Sequence, residues 1–139
     1  MVPATSPVPG LTLFARTVGS LVIAELTGEL DIANSPALRD QLLSLLRRSS
    51  SRLVLDLSKV TYCDASGLAV LVGTGRWARL LGGSLRLAAI SPQVEEVLQT
   101  TGLHRQLDVF ATVRAAIASP YGAPYSTFDA VARDPMLTA

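Results

Sequence analysis

Two short runs of buried-strand type, "LVLDL" (Leu53–Leu57) and "LRLAA" (Leu85–Ala89), flank a stretch that holds one apolar segment of helical length. Two such runs joined by a helix lie parallel in one sheet, because a parallel pair needs a long crossover. The rest of the chain repeats that grammar. Leu11, Leu13 and Ala15 alternate with Thr12, Phe14 and Arg16, which is the period of a strand. Gly19-Ser20 signals a turn, and Leu21–Leu26 reads as a second strand, so these two predict an antiparallel hairpin. "GELDIANSP" breaks the pattern; Asn34 or Ser35 is placed to cap a helix with Pro36 in its first turn. Leu38, Leu42 and Leu45 then recur at helical spacing, and Arg47-Arg48 stand where a helix C-terminus favours cations. A second helix is predicted from about Ser66 to Leu81, closed by Gly82-Gly83. Ser91-Pro92 opens a third, with Val94, Val97 and Leu98 inward and Gly102 as its stop. A weak strand at Leu107–Phe110 and a last helix at Thr112–Ala118 complete the pattern. The expectation is α/β: a parallel or mixed sheet covered by helices.

The 139 residues suit one domain, and 49% apolar content allows a core without staples. Residues 1–10 read as a flexible N-terminal arm, 11–118 as the domain, and 119–139 as a tail rich in proline and aromatics, with Tyr121, Tyr125 and Phe128. That tail is either a loose extension or a segment that docks on this domain or on a partner. A formal net charge of +1 and scattered arginines argue against nucleic acid as a partner. The single cysteine, Cys63, forms no internal disulfide and fits a reducing compartment; with His104 equally alone, no metal spacing exists. The N-terminus lacks the features of a secretory signal, and the longest apolar stretch is too short to span a bilayer. These features predict a soluble, cytoplasmic protein with no cofactor.

Candidate chemistry gathers after the strands, since ligands of open α/β sheets bind outside the strands' carboxyl ends. Asp31 and Asp64 each come after a predicted strand and precede a predicted helix. Each is either a cap that satisfies backbone N–H groups or part of a shared site, where Ser66-Gly67 would offer an anion the positive end of a helix. "GTGRWA" (Gly73–Ala78) matches a dinucleotide pattern but falls inside a helical run, and no strand precedes it. A Ser66–His104–Asp triad lacks any supporting pattern. Cys63 beside Asp64 should not carry a lowered thiol pKa and reads as a small core residue. The second helix is apolar around most of its first two turns: Ala69, Val70, Gly73 and Trp77 lie off the core stripe. Either both sides are buried, or one is a partner surface.

"GELDIANSPALRDQL", "LVLDLSKVTYCDASGLAVLVG" and "GGSLRLAAISPQVEEVLQTTGLHRQLDVFATVRAAI" resemble a STAS domain of the bacterial anti-sigma-factor antagonist type, over roughly Leu11 to Ala118. The resemblance implies the STAS fold, a mixed, mostly parallel sheet with an antiparallel edge hairpin covered mainly on one side by about four helices, and a regulatory binding module, not an enzyme. Its partner would be an anti-sigma factor of the serine-kinase type with a histidine-kinase-like ATPase fold; binding would free a sigma factor. Phosphorylation of a serine would separate the pair, and a serine phosphatase would reset it. Carried over by position, Asp31, Asp64, Ala65, Gly67 and Leu68 would shape the phosphoacceptor region and contact the partner. The chain departs from the family at one place. The residue after the motif aspartate, the usual phosphoacceptor, is Ala65, and the nearest hydroxyl is on Ser66. Ser66 is thus either a displaced phosphoacceptor or a helix cap. Asn34 stands where threonine is common, and is expected to cap equally well. A STAS domain of this kind also serves as a non-enzymatic scaffold subunit in lipid-transport ATPase or stressosome-like assemblies, and that remains the alternative.

Overall fold

In the computed structural model, residues 8 and 10–120 are described. The alternation at the N-terminus becomes β1 (Leu11–Val18), with Leu11, Leu13 and Ala15 buried and Thr12, Phe14 and Arg16 exposed. A turn with Gly19 at φ 60° returns the chain into β2 (Leu21–Leu30), antiparallel to β1. Next come α1 (Ser35–Arg48), β3 (Arg52–Cys63), α2 (Ala65–Leu80), β4 (Ser84–Ala88), α3 (Pro92–Thr101), a 3-10 turn at Leu103–Gln106, β5 (Asp108–Phe110) and α4 (Val113–Ala118). The sheet has the order β1-β2-β3-β4-β5, with every pair after the first parallel.

Three helices cover one face of this sheet. Leu38, Leu42 and Leu45 of α1, Leu68 and Leu71 of α2, and Val94 and Leu98 of α3 join the inward residues of all five strands in one buried cluster. The opposite face holds a smaller cluster of Ile23, Val54, Ala88, Phe110 and Ala116, covered by α4. Helices therefore lie mainly on one side, as expected for the fold class. Val8, assigned to the arm by sequence, is 6% exposed and packs in the larger core. Residues 1–7 and most of the predicted tail, 121–139, lie outside the described residues.

Two strands are longer than their apolar runs. β2 runs on past Leu26 to Leu30, and β3 past Leu57 to Cys63. The extra length is a paired extension of the two strands against each other, from Thr27↔Lys59 to Leu30↔Cys63, with register shifts at Glu25/Thr27 and Gly28/Glu29. Those two bulges re-aim the chain. Gly28, at φ 125°, stands at the second shift and lets the chain pass close to Gly10, because a Cβ there would sit 2.3 Å from the Gly10 carbonyl oxygen. Asp31 and Asp64 thus succeed their strands directly, without an intervening turn.

Candidate functional site

Leu30 and Cys63 are paired neighbours on parallel strands, so Asp31 and Asp64 leave the sheet side by side. The Asp64 N–H donates to the Leu30 carbonyl at 3.0 Å, which ties the two exits together. The structure therefore unites the two acidic residues that the sequence placed at strand ends.

Each carboxylate organises the backbone that comes after it. Asp31 Oδ1 accepts from the N–H groups of Ala33 (3.0 Å) and Asn34 (3.1 Å), closing the turn into α1. Asn34 occupies the cap position of α1, but its side chain caps nothing there. It is fully buried and works backwards: Oδ1 accepts from the Asp31 N–H at 3.0 Å, and Nδ2 donates to the Glu29 carbonyl at 2.7 Å. The expectation of an ordinary helix cap at Asn34 is thus corrected. An amide supplies the acceptor and the donor that a strut between strand end and turn needs, and a hydroxyl is too short to span both. Ser35 completes the turn by donating from Oγ to the Asp31 carbonyl at 2.6 Å.

Asp64 is the cap of α2: its Oδ1 accepts from the Gly67 N–H at 3.0 Å. Ser66 is consequently not the cap, which corrects one of its two readings. The helix begins one residue earlier than the sequence suggested, and Ala65 and Ser66 are its first two residues. Their N–H groups have no intrahelical acceptor, as at any helix start. Ala65 is exposed and Ser66 half-buried. The Ser66 hydroxyl makes no hydrogen bond among the described residues. Gly67 is buried, and a Cβ there would sit 2.7 Å from Leu30 Cβ and 3.1 Å from Cys63 Sγ, so α2 starts in close contact with the ends of β2 and β3. Leu68 is fully buried and supports the site from beneath, so its side chain offers the free domain no contact surface.

Cys63 lies under this junction, fully buried, and its thiol is pushed up to about 12, first by burial and then by the charge of Asp64. It is the inert core residue expected. Gln93, which no sequence pattern singled out, closes the far side: its amide accepts from the Cys63 N–H at 2.9 Å and donates to the Cys63 carbonyl at 3.1 Å. His104 is elsewhere. Its 3-10 turn meets α2 where Gln106 accepts from Arg76 at 2.8 Å, ten residues and about 15 Å of helix rise from Ser66. The triad is therefore not assembled. The GTGRWA segment lies wholly inside α2, with Gly75 against Leu85 and Gly73 facing open space. Among the described residues, no cluster of metal-ligating side chains occurs.

The open question about α2 resolves in favour of an exposed face. Ala69, Gly73, Trp77 and Leu80 succeed Ser66 along one stripe of the helix, with Trp77 43% and Leu80 78% exposed. Arg47 of α1 covers one side of the Trp77 ring at 5.9 Å. Beside the acidic pair, Ile32 at the tip of the β2–α1 turn is 75% exposed and Tyr62 is 42% exposed. No helix among the described residues is long and apolar enough to cross a membrane.

The model of the STAS domain family matches residues 13–116. An anti-sigma-B factor antagonist of Bacillus subtilis (strain 168) is 35% identical over 86 residues, which cover 62% of this chain and 78% of the relative. A candidate anti-sigma factor antagonist from Thermotoga maritima, known by crystal structure, superposes with a TM-score of 0.68 at 27% identity, covering 76% of this chain and 91% of the other. The anti-sigma factor antagonist SpoIIAA of Bacillus, solved in unphosphorylated and phosphorylated forms, has the same fold: its unphosphorylated form gives a TM-score of 0.63 at 24% identity over 76% of this chain and 93% of that one.

Proposed function

This chain belongs to the STAS domain family, and on that premise we propose that it is an anti-sigma-factor antagonist switched by phosphorylation at Ser66. The domain of residues 11–118 binds an anti-sigma factor of the serine-kinase type and so releases a sigma factor. The partner-facing surface comprises the Asp31–Ala33 turn, Ala65-Ser66 and the exposed stripe of α2. The chain performs no catalysis of its own; the kinase is the partner, and a serine phosphatase resets the switch.

The observation that carries this reading is the Ser66 hydroxyl: half-buried, without a hydrogen bond among the described residues, and in the first turn of a 16-residue helix. A phosphate there gains the N–H groups of the helix start and its positive end, so the free domain accommodates about two added negative charges. In a complex the same charges would be enclosed between surfaces that already carry Asp31 and Asp64, and desolvating them without a cation is unfavourable. Phosphorylation then separates the partners without unfolding either. Supporting this, the Bacillus subtilis relative is an anti-sigma-B factor antagonist, and SpoIIAA, alike in fold, exists in a phosphorylated form.

The test mixes the purified protein with a kinase-type anti-sigma factor from the same host. A complex should form without ATP. With ATP, the intact mass of the antagonist should rise by one phosphate and the complex should dissociate. Ser66→Ala should keep the complex and remove the mass shift. Absence of any complex refutes the antagonist reading. A stable complex with no phosphate added, or with phosphate on another residue, refutes Ser66 as the switch.

A further inference from the structure

The end of the domain opposite the Ser66 tip carries a surface of another kind. The C-terminal ends of α1 and α2 meet there, and the 3-10 turn packs on the other side of α2. Trp77, Leu80 and Leu81 are 43%, 78% and 45% exposed. They are three of the seven large apolar side chains left exposed among the described residues, and they fall within one helical turn and its cap. Single exposed leucines are ordinary, but a cluster with a polar rim marks an interaction site.

The charged rim of this cluster is basic throughout. Arg47 lies over the Trp77 ring at 5.9 Å, with Arg48 next to it at the end of α1. On the other flank Arg76 donates to Gln106 at 2.8 Å, and Arg79 directly precedes the two leucines. All four arginines are exposed and make no ion pair among the described residues. No acidic residue occurs between Asp40 and Asp56 or between Asp64 and Glu95. Arginines that look scattered in the sequence are thus gathered at one end of the fold, with Asp31 and Asp64 at the other.

The order of these groups along α2 narrows the occupant. Leu80 is the last residue of the helix and Leu81 its cap, so the apolar side chains stand at the tip, with the arginines beside and behind them. The carbonyls of Trp77, Ala78 and Arg79 accept from the N–H groups of Leu81, Gly82 and Gly83, so covering the tip orphans none of the three. An apolar tip with a cationic collar matches a lipid surface in depth. Leucine and tryptophan enter the boundary of headgroups and acyl chains, where guanidinium groups meet acidic headgroups.

We propose that this end of the domain docks reversibly on an anionic bilayer, with Trp77, Leu80 and Leu81 at headgroup depth and Arg47, Arg48, Arg76 and Arg79 against the acidic headgroups. Ser66 is eleven residues before Trp77, about 16 Å along α2. Docking therefore takes only the last turns of the α2 stripe. It leaves Ser66, Ala69 and the acidic tip turned to solvent and open to a protein partner. With few inserted side chains, attachment depends on the charges and weakens with salt.

Trp77 is the only tryptophan, so its fluorescence reports on the patch directly. The full-length protein is titrated with vesicles of equimolar phosphatidylcholine and phosphatidylglycerol, and with vesicles of phosphatidylcholine alone. With the anionic vesicles the emission should shift to the blue and the protein should co-sediment, and both effects should fade as salt is raised. Arg48→Glu with Arg79→Glu should weaken partitioning roughly tenfold or more. Arg39→Glu with Arg114→Glu makes the same change of net charge on other exposed surfaces and should leave it within about twofold. Leu80→Ser with Leu81→Ser should remove most of the blue shift. Neither shift nor co-sedimentation in dilute buffer overturns the proposal, as does equal binding to phosphatidylcholine alone. Equal losses from the two arginine pairs overturn the assignment of the patch. Binding to polyglutamate without binding to vesicles would make an acidic protein the occupant and overturns the proposal. So does a blue shift that needs only more protein, the mark of a second copy.

Discussion

Glycine to alanine at two positions of α2 should move stability in opposite directions. At Gly67 the added Cβ would stand 2.7 Å from Leu30 Cβ, 3.1 Å from Cys63 Sγ and 3.1 Å from the Leu30 carbonyl oxygen. Ordinary carbon contacts lie at about 3.5–4.0 Å, so the first turn of α2 must lift by roughly 1 Å. Overpacking of that kind costs about 1–3 kcal/mol, and better helix propensity returns at most about 1 kcal/mol. The net expectation is a loss of about 1–2 kcal/mol. At Gly73 a Cβ meets nothing within 4 Å, so the propensity gain of about 0.5–1 kcal/mol stands alone. Urea titrations monitored by far-UV circular dichroism would measure both. With m between about 1 and 3 kcal/mol/M, Gly67→Ala should lower the midpoint by about 0.5–1 M and Gly73→Ala raise it by a few tenths. Because the nearest atom is the Leu30 Cβ, adding Cys63→Ala should rescue Gly67→Ala little, although it removes the sulfur. A Gly67→Ala midpoint at or above that of the wild type would refute the close junction of helix and strand ends. So would full rescue by Cys63→Ala.

Asp64→Ala should cost about 1 kcal/mol by removing the acceptor for the Gly67 N–H, and Asp64→Asn should retain most of it, since the amide oxygen can accept the same bond; equal losses in thermal melts would assign the effect to charge instead. Cys63 predicts a loss of stability in alkali: its thiol keeps its proton to about pH 12 in the folded protein, whereas the unfolded chain releases it near pH 9. Below pH 9 that contribution is complete. Above it, stability falls by on the order of 1 kcal/mol per pH unit until the folded thiol titrates. The comparison is with Cys63→Ala, whose stability should be flatter over that window; parallel pH curves would contradict the buried thiol.

The fold was legible where a segment's own pattern decides it. Alternation at Leu11–Arg16, the leucine spacing of α1, and Ser91-Pro92 with Gly102 around α3 each carry their element's signature, and the structure agrees: Ser91 Oγ accepts from Val94, and Gly102 ends the helix at φ 76°. The lengths of β2 and β3 were not legible. "TGEL" and "SKVTYC" contain glycine, charge and hydroxyls that read locally as turns. They are strands because each pairs with the other, and the two bulges that keep them in step exist only in the pairing. The same limit applies at the site. Asp31 and Asp64 could be placed after strands, but that they are neighbours depends on the register. Asn34 reads as a cap because a cap is the local use of asparagine; its actual bonds, back to Glu29 and Asp31, arise from the β2 extension. Gln93 carries no signal at all, since its partner is thirty residues away.

That extension also bears on how the proposed switch would work. The β3–β4 ladder stops at Asp56↔Ala88, while β3 continues for seven more residues, Leu57–Cys63, alongside β2. At about 3.3 Å per residue, less the two bulges, the paired ends of β2 and β3 stand well beyond the end of β4, while β1 accompanies β2 as far as Gly28. Gln93 supplies at Cys63 the two hydrogen bonds that a longer β4 would have made, so the β3 side of the tip is held without a strand beside it. A projecting tip presents Ile32, Ala65, Ser66 and Ala69 to one partner surface at once. Those residues are mostly apolar and exposed, and the carboxylates between them are already engaged with backbone N–H groups. Enclosing this surface is favourable as it stands. Adding a dianion at Ser66 reverses that balance, because the charge is stable in water at the helix start and unfavourable when covered. The switch then needs no change of shape in the antagonist, which gives a structural expectation of its own. Phosphorylated and unphosphorylated forms should have the same backbone at Leu30–Ser35 and Cys63–Leu68, seen as matching amide shifts beyond the first turn of α2. A rearranged tip in the phosphorylated form would mean that separation works through conformation and not through the burial of charge.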